Sequence, residues 1–339
     1  MKKYDFGFYL ARFLTTYLPS QKGIKINTQL SYRDTFSLLL TYCKEQEKIQ
    51  PDKVKIQQLD RELINRFLTW LEENRSCKPA TRNQRLAAIH SFFRFLIIEC
   101  PEKIEQCQQI LSIPMKKVEQ TLIKYLSLEG TKALLAQPDV MSLAGRRDSV
   151  ILTLMYDTGC RVQELVDLKV CDITLADTVT VKLTGKGDKS RIVPVMAPTG
   201  QLIRQYITEN HLDTALYRSH PLFTNRSGKK MTRAGITYIL QKYAEQAYLS
   251  GHEDVDPKLT PHCLRHSKAM HLLQSGINLI YIRDLLGHAD VSTTEVYARA
   301  DEKMKREALE NAYESPSDGE LPSWQEDNDL LNWLKNFGK

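Results

Sequence analysis

Four side chains in the last third of the chain, His262, Arg265, His288 and Tyr297, form an ordered series that suits chemistry on a phosphate. His262 and Arg265 are three residues apart, which places them on one face of a helix. Arginine is a permanently charged fork that matches phosphate oxygens, histidine donates a hydrogen bond or moves a proton, and tyrosine supplies a hydroxyl nucleophile. Single residues of these types are usually surface or core-edge residues. The informative signal is the order: H-x-x-R, then L-G-H, then a tyrosine nine residues later.

The surrounding sequence predicts three short helices that hold these groups. Thr260 can cap the first helix, and the proline after it fits a first helical turn. Asn278 can cap the second, whose apolar residues recur at helical spacing until Gly287 ends it. Ser292 and Glu295 have the spacing of a capping box for the third helix. Rigid apolar helices would therefore position the polar set.

A further arginine and glutamate, Arg161 and Glu164, lie in the segment T-G-C-R-V-Q-E-L-V-D-L. A bare R-x-x-E is a frequent pair on helix surfaces and alone predicts nothing more. Together with the series above, however, this segment resembles the tyrosine recombinases, the integrase and Xer family of site-specific DNA recombinases. The resemblance implies that Tyr297 is the nucleophile, that His262 is a hydrogen-bonding or acid/base partner, and that Glu164 orients the cationic groups. It also implies three groups that stabilise charge on the phosphate: Arg161, Arg265 and His288.

The segment T-V-T-V-K-L-T-G-K-G-D-K-S-R-I-V-P-V predicts a β-hairpin. Its strands are Thr178–Leu183 and Arg191–Val195, joined by a glycine-rich turn with Lys186 at the tip. A turn lysine by itself is normally only solvated. The family resemblance implies instead that Lys186 protonates the departing 5′ oxygen of the DNA. Lys189 and Arg191 are neighbours, but Lys186 fits the G-K-G turn of the family better.

Residues 1–110 predict an all-helical domain that resembles the core-binding domain of the same family. Helices are predicted up to about Pro19, from Asn27 or Thr28 through Tyr42, and at about 61–74 and 80–99. Residues 111–124 contain Pro114 and predict a linker. Six residues are predicted to contact the DNA backbone, with a solvated helix face as the alternative for those on the helix: Lys78, Arg82, Asn83, Arg85, Lys116 and Lys117.

A second basic group lies in the loop H-P-L-F-T-N-R-S-G-K-K-M-T-R-A-G-I, which precedes a helix predicted from Ala234. Its cations predict phosphate binding: Arg226, Lys229, Lys230 and Arg233. His266 and His271 follow the H-x-x-R motif on a helix face that the sequence does not fix. With His262 they suggest a metal site, but their spacing and the lack of nearby carboxylates argue against one. No metal and no cofactor are therefore predicted.

The net charge of +6 is unevenly distributed. Residues 299–339 contain six Lys and Arg and ten Asp and Glu, a net charge of −4, so residues 1–298 carry +10. A basic body with an acidic tail suits a polyanionic partner, although a mildly basic soluble protein is equally compatible with charge alone. No apolar run is long enough to span a bilayer, and the N-terminal residues do not resemble a secretory signal. Seven cysteines without a C-x-x-C pair favour a reducing compartment. The expected location is the cytoplasm, in association with the nucleoid.

These observations predict a mainly α-helical fold with a small antiparallel β-sheet, arranged as a two-domain DNA clamp. The predicted parts are a core-binding domain (1–110), a linker (111–124), a catalytic domain (125–314), and a hinge with a C-terminal docking helix (315–339). Through the resemblance we expect a site-specific recombinase that cuts and rejoins duplex DNA with inverted-repeat sites through a 3′-phosphotyrosyl intermediate.

The expected assembly is a homotetramer linked by the C-terminal helices, with a related recombinase as a possible second partner and no membrane. Integrase or transposase of a mobile element is the favoured role. Three alternatives stay open: Xer-type dimer resolution, a type IB topoisomerase-like relaxase, and a catalytically silent DNA-binding regulator.

Overall fold

The computed structural model describes residues 5–118, 123–185, 187–288, 292–300, 334, 335 and 337. The chain divides into two compact units, Met1–Thr121 and Leu122–Lys339. The division falls in the stretch 111–124, for which the sequence predicts a linker. Of the predicted docking tail, three residues are described, so its helix and its docking stay predictions.

The described part of unit 1 is all helical, with α1 to α5 and a π-helical continuation of α1 at Phe13–Gln21. The bounds are α1 Phe6–Arg12, α2 Ile26–Glu45, α3 Arg61–Arg75, α4 Pro79–Glu99 and α5 Ile104–Leu111. Asp60 caps α3 by accepting from the N–H of Leu63. Four buried phenylalanines, Phe6, Phe13, Phe36 and Phe92, join α1, its continuation, α2 and α4, with ring centroids 5.3–6.3 Å apart in the contacting pairs.

Predictions for unit 1 are close for α2, α3 and α4 and incomplete elsewhere. The first helix ends near Pro19 as predicted, since its π-helical continuation includes Pro19 and ends two residues later at Gln21. The short helix α5, between a 3₁₀ turn and the linker, has no counterpart among the predicted helices.

The central helix of unit 2 is α7, Leu143–Thr158. Five of its residues are buried in the main core of the unit: Val150, Ile151, Leu152, Leu154 and Met155. The other helices described are α6 Leu128–Leu135, α8 Val162–Asp167, α9 Ala197–Glu209, α10 Arg233–Leu249, α11 Pro261–Gln274, α12 Leu279–Leu286 and α13 Ser292–Ala300. The prediction of a mainly α protein with a small antiparallel sheet is confirmed.

The sheet is three-stranded and antiparallel in the order β1-β2-β3, with β1 Ile173–Leu175, β2 Val179–Thr184 and β3 Ser190–Pro194. The hairpin of β2 and β3 lies within one residue of its predicted bounds. The three-residue strand β1 was not predicted. Leu183 pairs with Arg191 and Val181 with Val193, so Arg191 lies on the inner face with the apolar residues.

The three helices predicted around the polar series are present, with the caps predicted for the first two. The Thr260 side chain accepts from the N–H of Cys263 at the start of α11, and that of Asn278 accepts from Ile280 at the start of α12. Gly287 ends α12 in the left-handed conformation, with φ of 66°. Within the residues described, no helix has the length and apolarity needed to cross a bilayer.

Candidate active site

Glu164 is a buried carboxylate around which two arginines are arranged. Arg161 precedes α8 in an extended conformation, and its backbone N–H donates to Oε2 of Glu164 at 2.9 Å. Nη1 of Arg161 donates to Oε1 at 2.9 Å. Arg191, on β3, donates to both oxygens, from Nη1 at 3.1 Å and from Nη2 at 2.8 Å. One carboxylate therefore orients two guanidinium groups that come from different elements.

The charge state of Glu164 follows from the same contacts. Burial alone would raise the pKa of the carboxyl, but hydrogen bonds from Arg191 and from the Arg161 backbone outweigh burial and lower the pKa to about 2. Glu164 is therefore an anion throughout the physiological range. This buried negative charge balances part of the positive charge of the site.

The C-terminal end of α12 holds three guanidinium groups by its backbone. The last carbonyls of a helix lack partners within the helix and lie at the negative end of its dipole. Three consecutive carbonyls each accept from a different arginine: Leu285 from Nε of Arg191 at 2.7 Å, Leu286 from Nη2 of Arg265 at 2.7 Å, and Gly287 from Nη2 of Arg161 at 3.3 Å. The end of α12 thus fixes the relative positions of the three cations.

Two glycines in the left-handed conformation allow this close approach. A Cβ on Gly287 would lie 2.8 Å from Nη1 of Arg191, and a Cβ on Gly159 would lie 2.7 Å from Cδ2 of Leu286. The carbonyl of Gly159 also accepts from Nη1 of Arg265 at 2.7 Å. A side chain at Gly287 would therefore press on the guanidinium group of Arg191, and one at Gly159 on the side chain of Leu286, besides the strain of a left-handed backbone.

Arg265 is the most buried of the site cations, with 3% of its surface exposed. Burial, and next the charge of Arg161, lower its pKa to about 10, so the side chain still carries its charge at neutral pH. Arg161 is more open, with 35% of its side chain exposed. Two cations that are held in place and partly desolvated favour an anionic ligand such as phosphate.

Four aromatic rings form a row beside the arginines. Ring centroids are 6.0 Å apart between His262 and His266, 5.6 Å between His266 and Tyr297, and 6.4 Å between Tyr297 and His288. The Tyr297 hydroxyl lies 2.9 Å from Nδ1 of His266. Tyr297 is 2% exposed, and its ring packs in a small apolar cluster with residues of α11 and α12. The phenol is therefore covered in this state.

The titration of these rings is set mainly by burial. Burial raises the pKa of the Tyr297 phenol, against the opposing effect of Arg265 and Arg161. Burial, followed by Arg265 and Arg161, lowers the pKa of His288 to about 4. Burial also lowers the pKa of His262. The histidines are therefore neutral at neutral pH, and Nδ1 of His288 is hydrogen bonded to Oγ1 of Thr294 at 2.9 Å.

The structure brings most of the predicted catalytic residues together. Arg161, Glu164 and Arg265 share one hydrogen-bonded cluster, and the rings of His262, His288 and Tyr297 lie in the adjacent row. Lys186 lies outside the residues described. No group of three or more His, Cys, Asp or Glu residues among those described is arranged to hold a metal ion.

Two residues of this site, Arg191 and His266, were not assigned roles from sequence. Both carry a pattern that could have revealed them. Arg191 alternates with the buried Val193 and Val195, which predicts an inward-facing side chain. His266 follows His262 by four residues, which places it on the same helix face.

The predicted DNA contacts of unit 1 are only partly compatible with the structure. Arg82 is 6% exposed and donates to the carbonyl of Pro114, and Arg85 donates to the carbonyl of Ser31. Both guanidinium groups are used inside the unit, so the prediction that they bind phosphate is not supported. The side-chain amide of Asn83 donates to the carbonyl of Lys116 and accepts from its N–H, and the ammonium group of Lys116 pairs with Glu72. Lys78 and Lys117 are exposed.

The predicted basic loop of unit 2 is exposed and tightly turned. Asn225 accepts from the backbone N–H groups of Ser227 and Lys229, and Thr224 pairs with Lys230 as an isolated bridge. The ammonium group of Lys230 also pairs with Asp167. Arg226, Lys229 and Arg233 are exposed, so these three remain candidates for phosphate contacts.

Two family models and several known proteins match this chain. Residues 124–304 match the phage integrase family, and residues 10–99 match the phage integrase N-terminal SAM-like domain. An integrase/recombinase of Sinorhizobium fredii, y4rC, is 34% identical over 329 residues, which is 97% of each chain. The tyrosine recombinase XerD of Listeria innocua is 33% identical over 285 residues, covering 83% of this chain and 90% of the relative.

Solved structures show the same fold. The XerH recombinase bound to its palindromic difH substrate has a TM-score of 0.66 at 23% identity, covering 87% of this chain and 83% of XerH. The Tn1549 transposon integrase bound to transposon right-end DNA has a TM-score of 0.67 at 16% identity. The match covers 89% of this chain and 99% of the integrase chain. Together with the family matches, they lead to one conclusion: the chain belongs to the phage integrase family of tyrosine recombinases, enzymes that catalyse site-specific exchange of DNA strands.

Proposed function

We propose that Tyr297 cuts and rejoins DNA strands, with the arginine cluster as the phosphate site. The observation that carries this proposal is the distance of 2.9 Å between the Tyr297 hydroxyl and Nδ1 of His266, the residue that follows Arg265 on α11. The phenol oxygen attacks a DNA phosphodiester, a 3′-phosphotyrosyl bond forms, and a 5′ hydroxyl is released. A 5′ hydroxyl from another strand reverses the step. The energy of the original linkage is kept in the covalent intermediate, so no nucleotide is required.

The cations act where charge develops. In the transition state negative charge grows on the non-bridging oxygens of the phosphate, and preorganised donors stabilise it. We assign this role to Arg161, Arg265 and His288, with Glu164 and the end of α12 holding the arginines. His262, which is exposed beside Arg265, acts as a hydrogen-bonding or acid/base partner. Lys186 protonates the 5′ oxygen as it leaves.

We infer that the DNA partner is a duplex with inverted-repeat sites and that both units bind it. Lys78, Lys117, Arg226, Lys229 and Arg233 are exposed, and they would position the backbone without reading sequence. The proposal also includes a two-domain clamp, a homotetramer joined through the C-terminal docking helix of residues 315–339, a possible related recombinase partner, and action on the nucleoid in the cytoplasm.

The favoured biological role is integration or transposition of a mobile element. The integrase/recombinase y4rC matches over 97% of this chain, whereas XerD of Listeria innocua matches over 83%. The end-to-end match to a protein named integrase/recombinase is the support for an integrase role over Xer-type dimer resolution. Sequencing the DNA that flanks the gene tests it, because element ends or attachment sites are expected there and a lone chromosomal site would contradict the role.

Covalent trapping tests the chemistry. Duplexes from the DNA flanking the gene, each nicked next to a candidate cleavage site, release a short fragment on cleavage and trap the protein–DNA adduct. We expect an adduct with the wild type and none with Tyr297→Phe, while DNA binding persists. Arg161→Ala should lower the cleavage rate by roughly 10²-fold or more, as for loss of one charge-stabilising donor. An adduct with Tyr297→Phe would show that another residue is the nucleophile, and binding without any adduct would favour a silent regulator.

A further inference from the structure

A phenol attacks phosphorus efficiently only after it loses its proton. Burial raises the pKa of the Tyr297 hydroxyl, so the free protein holds it protonated at neutral pH. The roles assigned so far provide charge stabilisation for the phosphate and a proton for the leaving oxygen. His262 is assigned as a hydrogen-bonding or acid/base partner, but its ring lies against His266, and the hydrogen bond described for the phenol is made with His266. The side chains around the phenol therefore have to be considered as bases.

His266 is in direct contact with the reacting atom. Its Nδ1 lies 2.9 Å from the Tyr297 oxygen, within the range required for proton transfer. The two rings are 5.6 Å apart and inclined at 60°. His266 follows Arg265 on α11, and the guanidinium group of Arg265 is anchored by two backbone carbonyls. The pair is thus held by the same scaffold as the arginine cluster.

The other titratable groups near the phenol are engaged differently. The His288 ring stacks nearly parallel to Tyr297 at an interplanar angle of 13°, and its Nδ1 is hydrogen bonded to Thr294. The hydrogen bond described for the Tyr297 hydroxyl is made with His266 and not with His288. Glu164 is committed to Arg161 and Arg191.

The charges that face His266 favour its neutral form, which can accept a proton. Burial lowers its pKa first, followed by the repulsion of His262 and Arg265 on the same helix. Arg161, before α8, and His288, after α12, face the phenol from the other side. In this environment the imidazole is neutral at neutral pH. A neutral ring with its hydrogen on Nε2 presents an unprotonated Nδ1 to the phenol.

We propose that His266 is the general base that activates Tyr297, an inference that rests on the proposed function. The phenolic proton moves to Nδ1 of His266 as the bond between the Tyr297 oxygen and phosphorus forms. The bond between phosphorus and the 5′ oxygen breaks, and that oxygen takes its proton from the general acid, Lys186. In rejoining, the attacking 5′ hydroxyl gives its proton to the neutral amine of Lys186, and the imidazolium returns its proton to the phenolate as tyrosine leaves. Protons and charges therefore balance in both directions.

Single-turnover cleavage of the nicked duplex tests the proposal. His266→Asn places an amide near the position of Nδ1, where it can hydrogen bond but cannot carry away a proton. We expect His266→Asn and His266→Ala to be slower than the wild type by similar factors, roughly 10²-fold or more. His271→Asn is the matched control, because His271 lies on the same helix with Nδ1 also 2.9 Å from a tyrosine hydroxyl. It should cleave within about threefold of the wild type, since a histidine outside the site moves no proton in the reaction.

Two further readouts separate a base from a residue that only positions the phenol. The cleavage rate of the wild type should fall at acidic pH, because protonation of His266 removes the base. His266→Asn should not show this fall. A substrate with sulfur in place of the bridging 5′ oxygen provides a leaving group that needs no proton. It should restore cleavage by Lys186→Ala and leave His266→Asn slow.

The outcomes are distinguishable. If the wild type forms no adduct, or Tyr297→Phe still forms one, the proposed function itself fails. If the wild type cleaves through Tyr297 and His266→Asn is within about threefold of it, the inference alone is overturned, since a base contributes roughly 10²-fold or more. It is also overturned if His266→Asn retains the rate that His266→Ala loses, because a hydrogen bond would then suffice.

Discussion

Two histidines of helix α11 each contact a tyrosine hydroxyl through Nδ1, but the surroundings of the two pairs differ. In each, Nδ1 of the histidine lies 2.9 Å from the tyrosine hydroxyl: His266 with Tyr297, and His271 with Tyr156. Nε2 of His271 is 3.0 Å from the carbonyl of Leu126 and must donate to it, because a carbonyl only accepts. Nδ1 of His271 then accepts from Tyr156, and both ring nitrogens are occupied.

The His266 pair differs at the second nitrogen. Nε2 of His266 makes no hydrogen bond with any residue that the structure describes, and the ring lies beside His262 at the exposed end of the row. The comparison teaches that a His–Tyr hydrogen bond alone does not indicate chemistry. We expect reactivity where the histidine faces a cation cluster and retains a free nitrogen, and structural support where both nitrogens are bonded within the fold.

The largest expected difference is between the two tyrosines. Tyr297→Phe should abolish the covalent adduct, whereas Tyr156→Phe should leave the cleavage rate within about twofold and cost about 1 kcal/mol of unfolding free energy, the usual net value of one hydrogen bond. Trapping on nicked duplex and urea denaturation measure the two effects. A loss of cleavage in Tyr156→Phe beyond its loss of folded protein would break the comparison.

A smaller effect is expected where α11 is anchored to the start of unit 2. Ser267 is buried, and its hydroxyl accepts from the backbone N–H of Leu126 at 2.8 Å, while His271 binds the carbonyl of the same residue. Ser267→Ala leaves that N–H unpaired and should lower the unfolding free energy by about 1–3 kcal/mol. Thermal unfolding should show a decrease in Tm of about 2–4 °C per kcal/mol. The cleavage rate per folded molecule should not change; a parallel fall would mean that this anchor also controls the site.

The smallest effect is on the pH dependence of stability. Burial, and next the charge of Lys268, lower the pKa of His271, against a hydrogen bond to Leu126. The unfolded chain therefore binds a proton more readily, so this stabilising contribution is complete above about pH 6.5 and decreases as pH falls through the unfolded-state pKa. His271→Asn should reduce the loss of stability between pH 7.5 and 5.5 by less than about 1 kcal/mol.

Denaturation at both pH values measures the effect of His271→Asn, with His252→Asn, an exposed histidine, as the control. An unchanged pH dependence in His271→Asn would show that His271 titrates alike in the folded and unfolded chain. His266→Asn should flatten the stability profile in the same direction, but it alone should change the pH profile of cleavage.

Local sequence signals predicted the helices that hold the site. Thr260, Asn278 and Gly287 act at helix ends, where short-range chemistry decides the backbone, and these caps are as predicted. The R-x-x-E spacing likewise placed Arg161 and Glu164 within contact distance. Both cases depend on residues within a few positions of each other.

Long-range contacts were not accessible in this way. The contacts of Arg191 with Glu164 and Leu285 join residues that are 27 and 94 positions apart. Arg82 is buried where its guanidinium group donates to the carbonyl of Pro114, 32 positions away in the sequence. A basic residue on a helix is usually exposed, so the sequence favoured phosphate contact for Arg82 and gave no indication of its partner.

The end of α12 has a mechanical consequence for the site. Because Arg161, Arg191 and Arg265 all donate to its last three carbonyls, a movement of this one segment displaces all three cations together. Substitutions at Gly287 and at these arginines should therefore combine non-additively, since each disturbs the same support. A ligand or partner that tilts this helix would therefore move the three guanidinium groups together.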